Sequence, residues 1–131
     1  MTFEFNVKKR REEVRSQKSL STYSALKDWQ NTPLIDYSQK IREFENGNDY
    51  QLLKGDMVKF ENFFDALNQT ELKKSVIAIF NYFESISCGV VEGVLDEGFV
   101  KRFFQTVFTL YYNDWILYIK VRRKTEDSID L

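Results

Sequence analysis

The sequence predicts an all-α protein, a single-domain helical bundle of about five helices that ends in a long aromatic-rich helix. Apolar residues recur at the three- and four-residue steps of helices, and no useful stretch alternates as a half-buried strand does. Only five Gly and one Pro interrupt the 131 residues, and a hydrophobic content of 43% can supply a core. We expect one domain over residues 1–131, with frayed termini at residues 1–6 and 125–131.

Turn-forming residues delimit the predicted helices. Asn31-Thr32-Pro33 ends the first, Asn46-Gly47-Asn48 ends the second, and Gly55 weakens the third. The fourth has the strongest apolar stripe, and Asp96 precedes the fifth as an N-cap. The predicted helices are, approximately, residues 7–29, 33–45, 48–67, 71–93 and 97–124.

Apolar and aromatic residues cover well over half the circumference of the fifth helix, which is more than one neighbouring helix can bury. Either this helix is the central helix of the bundle, or it carries a subunit interface beside its core face. Both alternatives stay open at this point. The candidate interface residues are Phe108, Tyr111, Tyr112, Trp115, Ile116 and Tyr118.

The composition argues against catalysis, because the chain has no histidine and a single cysteine, Cys88. Histidine is the commonest general base and metal ligand, so we expect no catalytic residues, no metal and no cofactor. Cys88 lies in an apolar helical pattern, which suggests a packing role in a cytoplasmic protein. The most apolar run, residues 103–119, is interrupted by Gln105 and Asp114, so no transmembrane segment is predicted.

Charge is unevenly placed along a chain whose net charge is −1. Residues 1–18 hold six bases and three acids, whereas residues 34–98 hold six bases and twelve acids. The interleaved acids favour a solvated helix, and the slightly acidic total disfavours nucleic-acid binding. If the two basic ends bind an anionic partner, the candidate contacts are Lys8, Lys9, Arg10, Arg11, Arg123 and Lys124.

Two patterns mark the fourth helix. Ser85, Gly89 and Gly93 fall four residues apart and predict a flat strip for close helix packing, within the chain or at a homodimer seam. Asn81, Glu84 and Cys88 fall at i, i+3 and i+7 and form a polar stripe on an otherwise largely apolar helix.

A buried carboxylate requires a partner, so the stripe predicts a structural network of Asn81, Glu84 and Arg122 with a Glu84–Arg122 ion pair. The pairing assumes that Arg122 lies near the far end of an antiparallel fifth helix. A ligand-binding or catalytic role for Glu84 is the alternative.

The same region resembles an uncharacterised family of small bacterial helical domains that is described only as a domain of unknown function. The resemblance covers about residues 76–123, and it implies a helical fold but no established activity. The signature N-x-x-E-x4-G-x3-G-x2-D and the later helix of the family are matched by Asn81, Glu84, Gly89, Gly93, Asp96, Trp115 and Arg122.

These observations together predict a non-enzymatic helical module that binds a partner protein or itself, through the fifth helix or the acidic middle of the chain. The composition also fits a phage- or mobile-element-encoded inhibitor that occupies a partner surface. The alternative is an accessory protein that contacts nucleic acid or an anionic membrane surface through its basic terminal helices.

Overall fold

Seven α-helices and no strand are present in the computed structural model, which describes residues 3–66 and 70–129, with side chains for 6–66 and 70–123. The prediction of an all-α single-domain fold is confirmed. Fraying of residues 1–6 and 125–131 stays a prediction, and the predicted end of the third helix at Leu67 lies outside the described residues. The helices are α1 (Phe3–Lys27), α2 (Leu34–Glu45), α3 (Asn48–Leu53), α4 (Met57–Phe64), α5 (Thr70–Val91), α6 (Glu97–Asp114) and α7 (Ile116–Ile129).

Two predicted helices are each divided, which corrects the count of about five. The third is divided at Gly55, whose φ of +85° is rarely open to residues with a Cβ. Asp56 then caps α4 by accepting a hydrogen bond from the Lys59 backbone N–H at 3.0 Å. The fifth is divided at Trp115, whose φ of −118° and ψ of 28° are not helical, although no Gly or Pro occurs there.

The amphipathic α5 is the helix around which the bundle is built, and it packs against both α2 and α6. Full burial of an aliphatic or aromatic side chain contributes about 1.5–3 kcal/mol. The half-buried Trp29, in the 3-10 turn after α1, packs against both of the core clusters that α5 helps to form. The buried apolar residues of α5 are Leu72, Val76, Ile79, Phe83 and Ile86.

The break at Trp115 reverses the direction of the chain along α5. In α6, Phe104 contacts Phe83 and Tyr111 contacts Phe80, so this helix runs antiparallel to α5. Tyr118 of α7 also contacts Phe80, with the ring centroids 5.0 Å apart. An uninterrupted antiparallel helix would carry Tyr118 past this level, so α7 instead folds back along α5.

Trp115 is buried where α2, α3, α4, α6 and α7 meet. Its ring lies 5.9–6.1 Å from the rings of Phe44, Tyr50 and Phe60 and is only 1% exposed. The indole Nε1–H donates to the Glu45 Oε1 at 2.7 Å. A buried indole N–H requires an acceptor, so this bond fixes the end of α2 against the α6–α7 junction.

The three residues of the predicted small-residue strip, Ser85, Gly89 and Gly93, have different roles in the structure. Ser85 is exposed, and Gly93 lies beyond the end of α5 with a φ of +77°. The Gly93 N–H donates to Val90 at 3.1 Å and the Val94 N–H to Gly89 at 2.9 Å, so Gly93 is a C-terminal helix cap. A strip through all three residues for helix packing within the chain was therefore the wrong interpretation, and the homodimer seam stays a prediction.

Gly89 is the member of the strip that permits a close approach. A Cβ atom at this position would lie 2.6 Å from Cδ1 and 2.8 Å from Cγ of Leu95. Leu95 is buried in the second core cluster and precedes Asp96, whose side chain accepts from the Phe99 N–H at 3.0 Å and caps α6. The glycine thus allows the α5–α6 turn to close over its own helix end.

We predict that Gly89→Ala lowers the free energy of unfolding by about 1–3 kcal/mol, because Leu95 must leave a packed site. Gly98→Ala is the matched control: its Cβ would meet only an Asp96 side-chain oxygen at 3.4 Å, so this helical substitution raises stability by up to about 1 kcal/mol. Urea unfolding of both variants measures the difference. Equal stability of Gly89→Ala and the wild type would contradict the close contact.

Candidate functional site

A groove of about 660 Å³ lies between α5, α6 and α7 and is open to solvent. We call it the three-helix groove. Each of the three helices contributes apolar side chains as well as polar ones. The apolar lining is Phe80, Phe83, Phe108, Tyr112, Tyr118 and Ile119, and the polar lining is Glu84, Ser87, Cys88, Thr109, Arg122 and Arg123.

Helical spacing explains why these side chains share one groove. On α5, Phe80, Glu84 and Ser87 recur at steps of four and three residues and therefore lie along one face. On α6, Phe108 and Tyr112 are four residues apart and face α5 after the short turn. The reversal at Trp115 then brings α7 alongside as the second wall.

The predicted polar network lies at the rim of the three-helix groove and not in the core. Arg122 Nη2 donates to Glu84 Oε2 at 3.1 Å and to Asn81 Oδ1 at 3.0 Å. The side chains of Arg122 and Glu84 are 28% and 58% exposed, so the carboxylate is not buried as expected. The assumption that Arg122 lies on a helix antiparallel to α5 was also wrong. Arg122 reaches Glu84 because α7 runs in the same direction as α5.

The six candidate interface residues separate into core and surface. Tyr111, Trp115 and Tyr118 are buried, at 6%, 1% and 7% exposed, so for them the interface interpretation was wrong. Phe108 and Ile116 are half-buried, whereas Tyr112 is 47% exposed and lines the groove. The apolar surplus of the predicted fifth helix is shared between packing within the chain and an open groove.

The basic ends lie on different helices. Lys8, Lys9, Arg10 and Arg11 are exposed on α1, and Arg123 is exposed on α7. α1 packs against α6, the first part of the predicted fifth helix, whereas Arg123 lies on α7, the second part. The side chain of Lys124 lies outside the described residues.

Cys88 is exposed in the wall of the three-helix groove, which corrects the expected packing role. Among the described residues, no three His, Cys, Asp or Glu side chains form a group that could hold a metal ion. Nor does any helix within residues 3–66 and 70–129 have the length and apolarity to cross a membrane.

A second polar constellation surrounds Glu45 at the edge of the core. Burial raises the pKa of Glu45 above its usual value, the hydrogen bond from Trp115 lowers it, and the nearby Asp114 carboxylate raises it. The Asp114 backbone carbonyl accepts from the Tyr50 hydroxyl at 2.9 Å. Burial raises the pKa of Tyr50 to about 12, and the negative charge of Asp114 is the second largest cause. These two hydrogen bonds hold the α6–α7 junction against the end of α2 and against α3.

Sequence reasoning missed several residues that shape these sites. Phe80 and Phe83 stood out only as members of an apolar stripe, and their periodicity gave no sign of a groove. Glu45 ends α2 and carried no signal for a hydrogen bond to the indole seventy residues later. Thr22 is 2% exposed, and its hydroxyl accepts from the Asp96 backbone N–H at 2.8 Å.

The family comparison covers nearly the whole chain. A family model described as "Domain of unknown function (DUF4760)" matches residues 2–128. This match confirms the predicted relation to a domain of unknown function, while the signature residues themselves stay a prediction. Neither a curated protein nor a solved structure matches the chain.

We predict that Glu45 makes the fold less stable as the pH rises above 4.5. A raised pKa means that the folded chain holds this proton more tightly, so the free energy of unfolding falls as pH rises through the folded-state pKa. Glu45→Gln keeps an acceptor for Trp115 but cannot lose a proton. In this variant, the free energy of unfolding should fall less between about pH 4.5 and about pH 8 than in the wild type. Urea unfolding at both pH values measures it.

The control is Glu43→Gln, an exposed residue on the same helix. Its pH dependence should follow the wild type. If Glu45→Gln and Glu43→Gln change the pH dependence of the free energy of unfolding equally, the burial of Glu45 does not cause that dependence.

Proposed function

The chain belongs to the DUF4760 family, a domain of unknown function, and on this basis we propose a function from the chain's own surface. We propose that the protein is a non-enzymatic binding module that holds an apolar segment of a partner protein in the three-helix groove. The observation that carries the proposal is the groove itself, which is open to solvent and is lined by six apolar side chains from three helices. An inhibitor of phage or mobile-element type would act in this way.

The groove suits a helical or extended protein segment. Aromatic side chains are enriched at the centre of protein interfaces, where they lose few rotamers on binding. Tyr112 is 47% exposed and forms an accessible edge of the groove. Phe83 is 9% exposed, so it forms a floor that is held in place by the core. Grooves between helices take the apolar face of an amphipathic segment, whose side chains at helical spacing enter successive pockets.

The rim indicates the chemistry of the partner. Glu84 and Asn81 hold Arg122 in place, so its guanidinium is positioned before any partner arrives. Arg123, next to it, is exposed and forms no ion pair of 4.0 Å or less with a described residue. A segment with an acidic residue after its apolar positions would bury the apolar side chains and pair with this cation.

Two features support a module without catalytic chemistry. The sequence contains no histidine to activate a nucleophile, and the most accessible carboxylate of the groove, Glu84, is bonded to Arg122. Cys88 is an exposed free thiol, which is compatible with the reducing environment of the cytoplasm, where we place the protein.

Contact with nucleic acid or an anionic membrane through both basic ends is the second candidate function. It has less support, because the two groups of cations lie on different helices, α1 and α7, and because the net charge is −1.

Tyr112→Glu should abolish partner capture without unfolding the protein, because it places a carboxylate in the three-helix groove at an exposed position. The matched control is Leu110→Glu, which makes a comparable change at a residue of α6 that is 56% exposed and outside this groove. A benzophenone attached to Cys88 crosslinks whatever occupies the groove, and the crosslinked segment is identified by mass spectrometry.

We expect the wild type and Leu110→Glu to crosslink the same protein segment and Tyr112→Glu to lose it by at least about ten-fold, as for a central interface residue. Light scattering of each variant separates a foreign partner from self-association. Crosslinking that survives Tyr112→Glu, or no crosslink with the wild type, would contradict the proposal. A dimer that only Tyr112→Glu dissociates would assign the groove to a second copy of the chain.

A further inference from the structure

No described residue outside α1 covers most of the first half of this helix. Residues 6–18, which we call the basic arm, contain no buried side chain, and only Val7 and Lys18 are half-buried. A groove of about 910 Å³ runs along this arm and reaches Asp96 at the start of α6. An uncovered helical stretch of this length is only marginally stable by itself, so a partner that covers it would stabilise it.

The side chains of the basic arm are sorted by charge around the helix. The face that lines the groove carries four cations around two valines, and Glu12 and Glu13 do not line it. Helical spacing places these two acids on the opposite side, together with Lys9. The arm contributes to this groove Val7, Val14, Arg10, Arg11, Arg15 and Lys18.

The cationic face continues the stripe by which α1 packs on the bundle. Thr22 and Leu26 are buried, and Leu26 belongs to the second core cluster together with residues of α5 and α6. Lys18 lies one turn before Thr22 on the same face and is half-buried. Val14 lies one further turn before it and is 58% exposed, so the bundle no longer covers this face. The bond from Asp96 to Thr22 fixes the point at which packing within the chain stops.

We propose that the basic arm binds an acidic amphipathic helix of a partner protein, which extends the bundle by one helix at this end. The apolar side chains of the partner would cover Val7 and Val14, and its carboxylates would pair with Arg10, Arg11 and Arg15. Arginine suits this role because its planar guanidinium binds carboxylates with two parallel hydrogen bonds.

Charge and shape favour a protein over a phosphate backbone or a lipid surface. Val7 and Val14 lie among the cations, and the phosphate backbone of a nucleic acid offers nothing apolar to cover them. The Asp96 carboxylate also lines the groove and would repel a continuous polyanion. The net charge of −1 gives the whole molecule no long-range attraction to one.

The test is a binding measurement with defined probes. Fluorescence anisotropy compares a synthetic helical peptide with a leucine face flanked by glutamates, the same peptide with glutamines in their place, and mixed-sequence duplex DNA. Co-sedimentation tests vesicles of phosphatidylcholine and phosphatidylglycerol. Arg11→Glu reverses a charge in the groove, and Lys9→Glu makes the same reversal on the opposite side of the exposed helix. Circular dichroism checks that both variants fold.

We expect the wild type to bind the glutamate peptide about ten-fold more tightly than the glutamine peptide, with the difference shrinking as salt is added. Arg11→Glu should weaken this binding about ten-fold, whereas Lys9→Glu changes it by less than about two-fold. No peptide binding, equal losses in the two variants, or tighter binding to DNA or vesicles would overturn the proposal. Crosslinking at Cys88 should be unchanged in Arg11→Glu, which separates this site from the three-helix groove.

Discussion

The indole ring of Trp115 is buried at the junction of α6 and α7, and its burial determines how the helices on both sides of that junction are arranged. Trp115 is surrounded by the rings of Phe44, Tyr50 and Phe60, so it holds three consecutive helices against the end of α6. An unsatisfied buried N–H costs about 1–3 kcal/mol, so the end of α2 must place the Glu45 carboxylate within reach of this donor. The raised pKa of Glu45 is the electrostatic cost of meeting that requirement.

The same constraint creates the three-helix groove. Because the chain changes direction at Trp115, α7 returns along α5 and places Tyr118 beside Phe80 and Arg122 beside Glu84. A straight continuation of α6 would have carried these residues past Phe80 and Glu84 towards the start of α5, and it would have left one side of α5 without a second wall. The groove is therefore a consequence of the junction, and its aromatic floor is an extension of the core that α7 does not cover.

The residues that the sequence analysis assigned to a predicted signature connect the α5–α6 turn to the surface of the groove. Gly89, Gly93 and Asp96 shape the α5–α6 connection through a close contact, a left-handed cap and an N-cap. Glu84 and Asn81, earlier on the same helix, orient Arg122 at the rim of the groove. A short stretch of sequence thus fixes both the path of the chain and the position of a surface cation, and neither role requires catalytic chemistry.

Apolar periodicity and residues such as Asp96 act locally, so they were sufficient to predict that this protein is helical and where most of its helices lie. It also singled out Glu84 and Arg122 as partners from their charges and the polarity of their stripe. It did not determine the break at Trp115, since that break contains no Gly or Pro and arises from burying an indole in a site built by three distant helices. For the same reason, the sequence could not show that Tyr111 and Tyr118 belong to the core while Tyr112 faces a groove. Periodicity defines the faces of a helix, but the neighbours that cover each face come from elsewhere in the chain.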